Sequence, residues 1–548
     1  MKVSFNGYSF AFAVLTVENR YEAAGAELTP TADGLIARAT SLTAGEGAAA
    51  APGLLEVHLA ADGRRLSWQA RAAHGEPIKG IMVSIEPLPA GTVMIPPATA
   101  LTVEEGRPGR CFAYPGGYYP LRHVSATGVE PGSGPLPTWA AQFLLLGAEA
   151  RTLCLQAREY PPRVKRLWLY RRGGYLALRL YTEADACRRS SEYSAPAWTL
   201  EEVDDWRRAV DDYAAWMAEA FGLRPFAERA DVQPWLRDIS LVVVLHGRSH
   251  YGTIRHSYAD MVGRLEELAT LFPPQQTLVK LVGFEGPIDR RWPDNDPDPA
   301  LGGPEGFERF MAAARHYGYH VMPHLNVWGA SLRNPATSDL LAFQVQDGEG
   351  RPLSWSFDYD HDEVAEEIFA YISPDAPEWR TVLRERIQRL VERFGVGTIF
   401  LDQTGTFVND RRYDHFRGLK ALYSELRAAM PGVQFTGEGP GTEVSVSLCP
   451  LLSGVTGASG GEEALEMYRR LFGPFVREHG HSASLPPEPY TGVWTARPEG
   501  WWTPERFEAQ EAHAARMGAI PTLNLTDRRI SLDGARVRSV LARARAKL

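Results

Sequence analysis

The sequence predicts a multidomain protein in which an N-terminal β-sandwich precedes a (β/α)8 barrel. The chain has 548 residues, which is too long for one compact domain. Its first part consists of short β-rich segments separated by glycine and proline, a pattern typical of antiparallel sheets. From residue 235 onward, apolar strands alternate with amphipathic helices. That alternation indicates a parallel sheet with both faces covered.

Residues 1–197 are assigned to the β-sandwich. Segments such as GLLEVHLAA, RRLSWQARAA and YLALRLYTEA alternate apolar with polar residues, so each predicts a strand with one buried face. Many short strands at regular spacing favour two packed sheets.

Residues 198–234 are assigned to a linker helix region, because TLEEVDDWRRAVDDYAAWMAEAFG has a helical pattern. Thr199 with Glu202 forms a capping-box signature that predicts the start of the helix. Gly222 predicts its end.

Residues 235–548 are assigned to the barrel, since this region has room for eight βα units. An open doubly wound sheet is the alternative. No GxGxxG or GxxxxGK[ST] pattern follows any of the strands, which disfavours a nucleotide-binding sheet.

Charge and hydropathy argue against nucleic-acid and membrane partners. The net charge is −9 and basic residues form no stripe, which disfavours binding to polyanions. No apolar run reaches the length of a transmembrane helix. The N-terminal MKVSFNGYSFAFAV is interrupted by polar residues and lacks a cleavage site, so we read it as a first strand and expect a cytoplasmic location.

No metal or cofactor is expected from the sequence. The cysteines, which are Cys111, Cys154, Cys187 and Cys449, show no metal-ligand spacing. Reduced thiols are expected, with one disulfide among the first three as the alternative. The loop from Asp294 to Glu305 resembles a calcium loop, but Pro299 stands where glycine is required. An acidic turn is therefore favoured, and calcium binding stays open.

Polar residues end six of the eight predicted barrel strands. Because barrel active sites lie at the carboxyl ends of the strands, these residues should converge on one pocket. The predicted site consists of His246, Arg248, Glu285, His324, Asn326, Trp328, Asp402, Gln403, Glu438 and Asn524.

Two carboxylates of this set suit cleavage of a glycosidic bond. Asp402 follows the apolar Ile399, Phe400 and Leu401 directly, without a turn glycine, and Glu438 stands between two glycines. In a retaining glycosidase the two carboxyl groups lie about 5–5.5 Å apart, which adjacent strand ends can supply. We expect an ionised Asp402 and partial burial to raise the pKa of Glu438, so that Glu438 holds the proton.

The other polar residues are expected to contact sugar hydroxyl groups. His324 and Asn326 share one face of strand three. Trp328 is a candidate stacking platform. For Arg248 and Glu285 a salt bridge is an equally good explanation. Trp494, Trp501 and Trp502 either wall the site or form a hydrophobic plug under a loop.

The stretches GFERFMAAARHYGYHVMPHLNVWG, VGTIFLDQTG and FTGEGPG resemble retaining α-glycosidase barrels. The nearest in layout are the endo-α-N-acetylgalactosaminidase group, with α-amylases more distant; the chain is also similar to uncharacterised glycosidase-like barrels. This resemblance implies that Asp402 is the nucleophile and Glu438 the acid/base. In the α-galactosidase clan the acid/base ends strand six, where LLSGVTGASGGEE offers only Glu462 and Glu463 further on. That layout fits less well.

The predicted function is a retaining glycoside hydrolase that acts on an α-glycosidic bond of a carbohydrate substrate. An inverting glycosidase or a transglycosylase on the same scaffold is one alternative. A non-catalytic carbohydrate-binding barrel is another. The sequence leaves open the sugar, the linkage, exo or endo action and the oligomeric state.

Overall fold

A computed structural model describes most of the chain. The described residues are 1–23, 25–44, 47, 49–105, 110–116, 122–125, 128–131, 138–148, 151–358, 362, 364–454, 460–489 and 501–548. A large antiparallel β-domain comes first and an eight-stranded parallel barrel follows. The predicted fold class is therefore confirmed.

The N-terminal domain is a network of antiparallel strands around its own hydrophobic core. Alternation sets its inner face: in Arg65–His74, Leu66, Trp68, Ala70 and Ala72 are buried while their neighbours face outward. The paired strands are Lys2–Phe5, Tyr8–Thr16, Arg20–Ala23, Glu27–Pro30, Gly34–Ala44, Ala49–Asp62, Arg65–His74, Ile78–Pro89, Thr92–Ile95, Thr99–Thr102, Arg110–Tyr114, Phe143–Ala148, Arg151–Ala157, Lys165–Arg172, Tyr175–Glu183, Glu192–Ser194 and Trp198–Val203, with Arg122–Ser125 and Gly128–Pro131 as a separate hairpin.

The helix that links the two domains begins later than the capping-box pattern predicts. Thr199 and Glu202 lie in the strand Trp198–Val203, which pairs with Arg151–Ala157. Helix α1 spans Trp206–Phe221, and its N-cap is Asp205. Trp198–Val203 forms a strand because burial of its alternate residues against the sheet outweighs the local helical pattern. The predicted end is correct, because Gly222 caps the helix with a φ of 67°.

The barrel strands are parallel, and each pairs with its neighbours in chain order around the ring. They are strand 1 (Leu241–Arg248), strand 2 (Thr277–Pro287), strand 3 (His320–Asn326), strand 4 (Thr398–Asp402), strand 5 (Gln434–Glu438), strand 6 (Leu451–Ser453), strand 7 (Arg477–His479) and strand 8 (Thr522–Leu525). Asn326 lies opposite Asp402, and Glu438 lies opposite Ser453. Strand 1 pairs with strand 8, and a single parallel bridge from His479 to Ile520 closes the ring.

Amphipathic helices cover the outside of the barrel. In α4, Leu383, Ile387, Leu390 and Phe394 form the buried stripe at helical spacing. The helices are α2 (Tyr258–Ala269), α3 (Gly303–Tyr317), α4 (Pro377–Phe394), α5 (His415–Ala429), α6 (Glu443–Leu448), α7 (Glu462–Phe472), α8 (Pro504–Met517) and α9 (Ala535–Arg545). Within the described ranges, none of the helices combines the length and the hydropathy needed to cross a membrane.

A small antiparallel sheet is inserted between strand 3 and α4, which the sequence pattern joined directly. Its strands are Gly329–Ser331, Ser354–Phe357 and Glu366–Tyr371. These strands are too short for a periodic signal, and they pair across long separations in the chain, so local patterning does not reveal them.

A buried carboxylate ties the N-terminal domain, α1 and the barrel together. Glu443, in the first turn of α6, accepts hydrogen bonds from the hydroxyl groups of Tyr114 and Tyr213, each at 2.5 Å. It also accepts the backbone N–H of Gln142 at 3.0 Å. Because Glu443 comes five residues after Glu438, this network supports the loop that follows strand 5.

We expect Glu443→Ala to lower the free energy of unfolding by about 3 kcal/mol, since it leaves buried donors without an acceptor. Urea denaturation measures the change. Glu463→Ala is the matched control, because Glu463 is an exposed acid in the first turn of α7. Equal stability of the two variants would contradict the prediction.

Candidate active site

The structure brings Asp402 and Glu438 together at the mouth of the barrel. Carboxylate oxygens of both residues and a ring nitrogen of His481 all lie within 4.8 Å of one another. The side chains of Asp402 and Glu438 are 13% and 22% exposed, so both are partly accessible at the ends of adjacent strands.

The glycines beside Glu438 are required by the backbone. A Cβ on Gly437 would lie 2.8 Å from the Oγ1 of Thr404 and 2.9 Å from the Sγ of Cys449. Gly439 has a φ of 106°, which side chains disfavour. The Gly-Glu-Gly pattern therefore lets strand 5 lie close to the loop after strand 4.

Both oxygens of the Glu438 carboxylate accept hydrogen bonds from nitrogen. The backbone N–H of Gln403, whose φ is 60°, donates to Oε2 at 2.9 Å. His481 Nε2 lies 2.5 Å from Oε1. Because the backbone N–H of Ala483 donates to His481 Nδ1 at 2.9 Å, the ring proton is on Nε2 and His481 is the donor. Glu438 is thus held as a carboxylate.

These contacts lower the pKa of Glu438. Burial opposes ionisation, but the hydrogen bond from His481 outweighs it, and the pKa falls to about 2. This corrects the expectation that the pKa of Glu438 is raised. The side chain of Asp402 and the charge of Lys280 also lower the pKa of Glu438, each by less than the hydrogen bond from His481 does.

Asp402 has weaker partners and holds the shared proton. Asn326 Nδ2 lies 3.4 Å from Asp402 Oδ2, and His324 Nε2 lies 3.6 Å from it. Burial and the negative charge of Glu438 raise the pKa of Asp402 well above its usual range. Two carboxylates this close cannot both ionise readily, so the pair keeps one proton.

His324 is a buried polar group aimed at the site. Its ring lies parallel to Trp292, with centroids 6.0 Å apart. Neither ring nitrogen has a hydrogen-bond partner among the described residues. Burial, followed by the charge of Lys280, lowers its pKa well below the usual value, so the imidazole is neutral. Such an unsatisfied group fits contact with a ligand hydroxyl.

Asn326 and Gln403 form a hydrogen-bonded network beside Asp402. Asn326 Oδ1 accepts the backbone N–H groups of Trp328 and Gly329 at 2.9 and 2.8 Å, which fixes the orientation of its amide. Its Nδ2 lies 3.3 Å from Gln403 Oε1, and Gln403 Nε2 donates to the hydroxyl group of Tyr371 at 3.2 Å.

His246 and Asn524 bond to each other. His246 Nε2 lies 2.8 Å from Asn524 Oδ1. Asn524 Nδ2 donates to the backbone oxygens of Ser482 and Ser484 at 2.9 and 2.6 Å. The amide of Asn524 is therefore used to hold the loop that carries His481, rather than being directed at a substrate.

Arg248 and Glu285 have partners within the protein. Arg248 donates to Asp298 Oδ2 at 3.1 Å, so its salt bridge is with the acidic loop and not with the strand-end residue Glu285. Glu285 is fully buried and accepts from Trp292 Nε1 at 3.2 Å. Burial, followed by the charge of Asp289, raises the pKa of Glu285 to about 8, so it is a neutral acid near pH 7.

Trp328 is buried among aromatic residues and is not exposed at the barrel mouth. It is 0% exposed, its ring stacks on His415 at 4.6 Å, and Tyr371 contacts it at 5.0 Å. It follows strand 3 into the inserted sheet, which the sequence pattern did not show. We therefore do not retain it as a stacking platform.

The acidic loop and the late aromatic residues are engaged by protein groups. Asp294 pairs with Arg386 at 3.1 Å, and Asp298 accepts from the backbone of Ala300, as in an ordinary acidic turn. Trp502 donates to the backbone oxygen of Pro486 at 2.7 Å. Trp494 lies outside the described residues. All four cysteines are free thiols.

Three residues of the site were missed by sequence reasoning. His481 follows strand 7, where the βα rhythm blurs. Asp289 is buried, pairs with His250 at 2.7 Å and adds to the field on Asp402. Lys280 lies inside the barrel. The HGHS motif was the only local signal for His481, and a lysine within the apolar TLVKLVGFEG was the signal for Lys280.

The comparisons with known proteins bear on the fold. A domain of unknown function, DUF6259, matches residues 193–419. No curated protein sequence matches this chain. The α-N-acetylgalactosaminidase NagBb from Bifidobacterium bifidum, in complex with GalNAc, superposes with a TM-score of 0.64 at 12% identity, covering 94% of this chain and 92% of that one. The two proteins therefore share their fold.

Two α-galactosidases share the architecture. The GH36 α-galactosidase AgaA from Geobacillus stearothermophilus has a TM-score of 0.51 at 9% identity, over 98% of this chain and 75% of that one. TtGalA from Thermus thermophilus, in complex with p-nitrophenyl α-D-galactopyranoside, has a TM-score of 0.52 at 15% identity, over 99% and 94%. The resemblance drawn from the sequence motifs is thus confirmed at the level of the fold.

Proposed function

We propose that this protein is a retaining glycoside hydrolase that cleaves an α-glycosidic bond with Asp402 and Glu438. The observation that carries the proposal is the approach of their carboxylate oxygens to within 4.8 Å at the barrel mouth. Inverting enzymes separate these groups by about 6.5–9.5 Å to admit a water molecule. The short separation supports double displacement through a covalent intermediate.

In this mechanism Asp402 attacks the anomeric carbon while Glu438 protonates the leaving oxygen. Glu438 then takes a proton from water, which hydrolyses the glycosyl–Asp402 ester. Each round needs one carboxylate and one carboxylic acid, which is the state of a pair that keeps a single proton. Without substrate the proton is on Asp402, whereas the reaction needs it on Glu438. The proton must therefore pass from Asp402 to Glu438 when the substrate binds. Positive charge developing on the sugar favours ionised Asp402, and negative charge on the leaving oxygen favours protonated Glu438.

The reverse assignment is the second candidate. His481 and the backbone of Gln403 both hold Glu438 ionised in the free site, which suits a nucleophile. Asp402 would then be the acid. The sequence motif around Asp402 resembles that of the nucleophile in retaining α-glycosidases, and the fold is similar to theirs. This resemblance favours the first assignment.

A screen of aryl α- and β-glycosides tests the function. Galactosides and N-acetylgalactosaminides are tested first, because the similar structures are those of an α-N-acetylgalactosaminidase and an α-galactosidase. We expect turnover of an α-glycoside, and the sugar first released should have the α configuration by proton NMR. A β product would indicate inversion. Sugar binding without turnover of any glycoside would favour the non-catalytic barrel, and new glycosides formed with added alcohols would reveal transfer.

We expect His481→Ala to raise the pKa of Glu438, because the carboxylate loses a hydrogen bond that stabilises its ionised form. If Glu438 is the acid, the alkaline limb of the kcat/KM profile moves to higher pH. If Glu438 is the nucleophile, the acidic limb moves up instead. His316→Ala, on the exposed face of α3, is the control, and its profile should match that of the wild type. A profile unchanged in His481→Ala would contradict the prediction.

A further inference from the structure

Lys280 is a buried cation inside the barrel that the mechanism above does not use. It lies in strand 2 between Val244 of strand 1 and Met322 of strand 3, and it is 0% exposed. Its Nζ has no hydrogen-bond partner among the described residues. The Phe400 ring, whose centroid is 3.2 Å from Nζ, is its contact beneath the site.

A lysine at this position is costly for the fold. An isolated ammonium group loses its hydration on burial, and Val244 and Met322 show that apolar side chains fill the same layer. Burial accordingly lowers the pKa of Lys280 to about 7, while Asp402 and Glu438 oppose that shift. Lys280 disfavours folding and contacts Phe400, which lies two residues before Asp402 on strand 4. A costly cation beneath two carboxylates points to function.

The ionisable groups around Lys280 come from five strands or strand ends. Asp402 and Glu438 attract its charge. The buried histidines His246, His324 and His479 feel its repulsion, and their pKa values are lowered, first by burial. These histidines are neutral near pH 7. Lys280 therefore provides the positive charge inside the barrel that attracts the two carboxylates.

We propose that Lys280 is a positioning residue that sets the charge state of the Asp402–Glu438 pair. With one shared proton the pair carries one negative charge, and the Lys280 ammonium balances it. This balance keeps one carboxylate ionised in a buried site and resists uptake of a second proton. The proposal rests on the proposed function for its kinetic consequence, but the charge balance itself does not require turnover.

Lys280→Met tests the proposal, with Met322→Leu as the control in the same barrel layer. Loss of this buried cation should raise the pKa at which the pair takes up its second proton by about one pH unit or more. The acidic limb of the kcat/KM profile should move up by that amount in Lys280→Met and stay in place in Met322→Leu. Urea denaturation should show that both variants are folded, with Lys280→Met at least as stable as the wild type.

A second measurement does not depend on hydrolysis. The infrared carbonyl band of a protonated carboxyl group is followed across pH and assigned by its loss in Asp402→Asn. Its titration midpoint should move up in Lys280→Met. Unchanged midpoints in both measurements would overturn the role of Lys280. If the infrared midpoint moves while the wild type hydrolyses no glycoside, the role of Lys280 stands and the proposed function fails.

Discussion

Asp402→Asn is expected to lower kcat/KM for an aryl α-glycoside by roughly 10⁴–10⁶-fold, the range seen when members of a covalent catalytic machinery are removed. Asparagine keeps the shape of the side chain but cannot form the glycosyl ester. Initial rates on the substrate found in the screen measure the loss. Asp62→Asn, an exposed acid of the N-terminal domain, is the control and should retain wild-type rates.

The same variant should not be destabilised. Asp402 has a pKa that folding raises, so above its unfolded pKa the native state is penalised for this group. Removing the charge removes that penalty, and the free energy of unfolding near pH 7 should stay equal or increase. A large loss of stability would mean that Asp402 is structural and would undermine the kinetic interpretation.

Azide distinguishes the two role assignments. If Asp402 is the nucleophile, Asp402→Gly opens space for azide to attack directly, and an α-glycoside yields the β-glycosyl azide. A glycosyl azide with retained α configuration from this variant would instead assign Asp402 as the acid/base and Glu438 as the nucleophile.

Glu438→Gln is expected to show a loss that depends on the leaving group. Hydrolysis of an alkyl or sugar aglycone, which needs a proton on the departing oxygen, should fall by about 10²–10⁴-fold. A dinitrophenyl aglycone leaves without that proton, so formation of the intermediate should be nearly unaffected and a burst should precede slow turnover. Rates on the two classes of substrate measure the difference.

Added azide should speed turnover of the Glu438→Gln intermediate, because azide needs no general base, and the product should be the α-glycosyl azide. Glu463→Gln, an exposed acid of α7, is the matched control. Equal losses for good and poor leaving groups would contradict the acid/base role of Glu438.

Local patterning was enough to place the two carboxylates. The run Ile399 to Leu401 is apolar because strand 4 is covered on both faces, so the first polar residue after it had to reach the barrel mouth. Gly437 and Gly439 marked the exit of strand 5 for a related reason: one has no room for a Cβ and the other has a positive φ. These constraints act over a few residues and can be read from the sequence.

Features that depend on distant partners could not be read in this way. Thr199 and Glu202 have a helical signature, yet pairing with Arg151–Ala157 places them in a strand. Trp328 looks like a residue at the mouth until the inserted sheet buries it. In both cases, contacts formed across the chain outweigh a local preference that is small.

The sequence by itself determined the architecture, a β-sandwich followed by a barrel, and the positions of Asp402 and Glu438 at neighbouring strand ends. Only the tertiary structure decided where the proton of this pair resides. His481 follows strand 7 and Lys280 lies in strand 2, and both act on the pair from elements distant in the sequence. Because electrostatic interactions depend on distance and burial and not on order along the chain, periodicity and spacing could not reveal them.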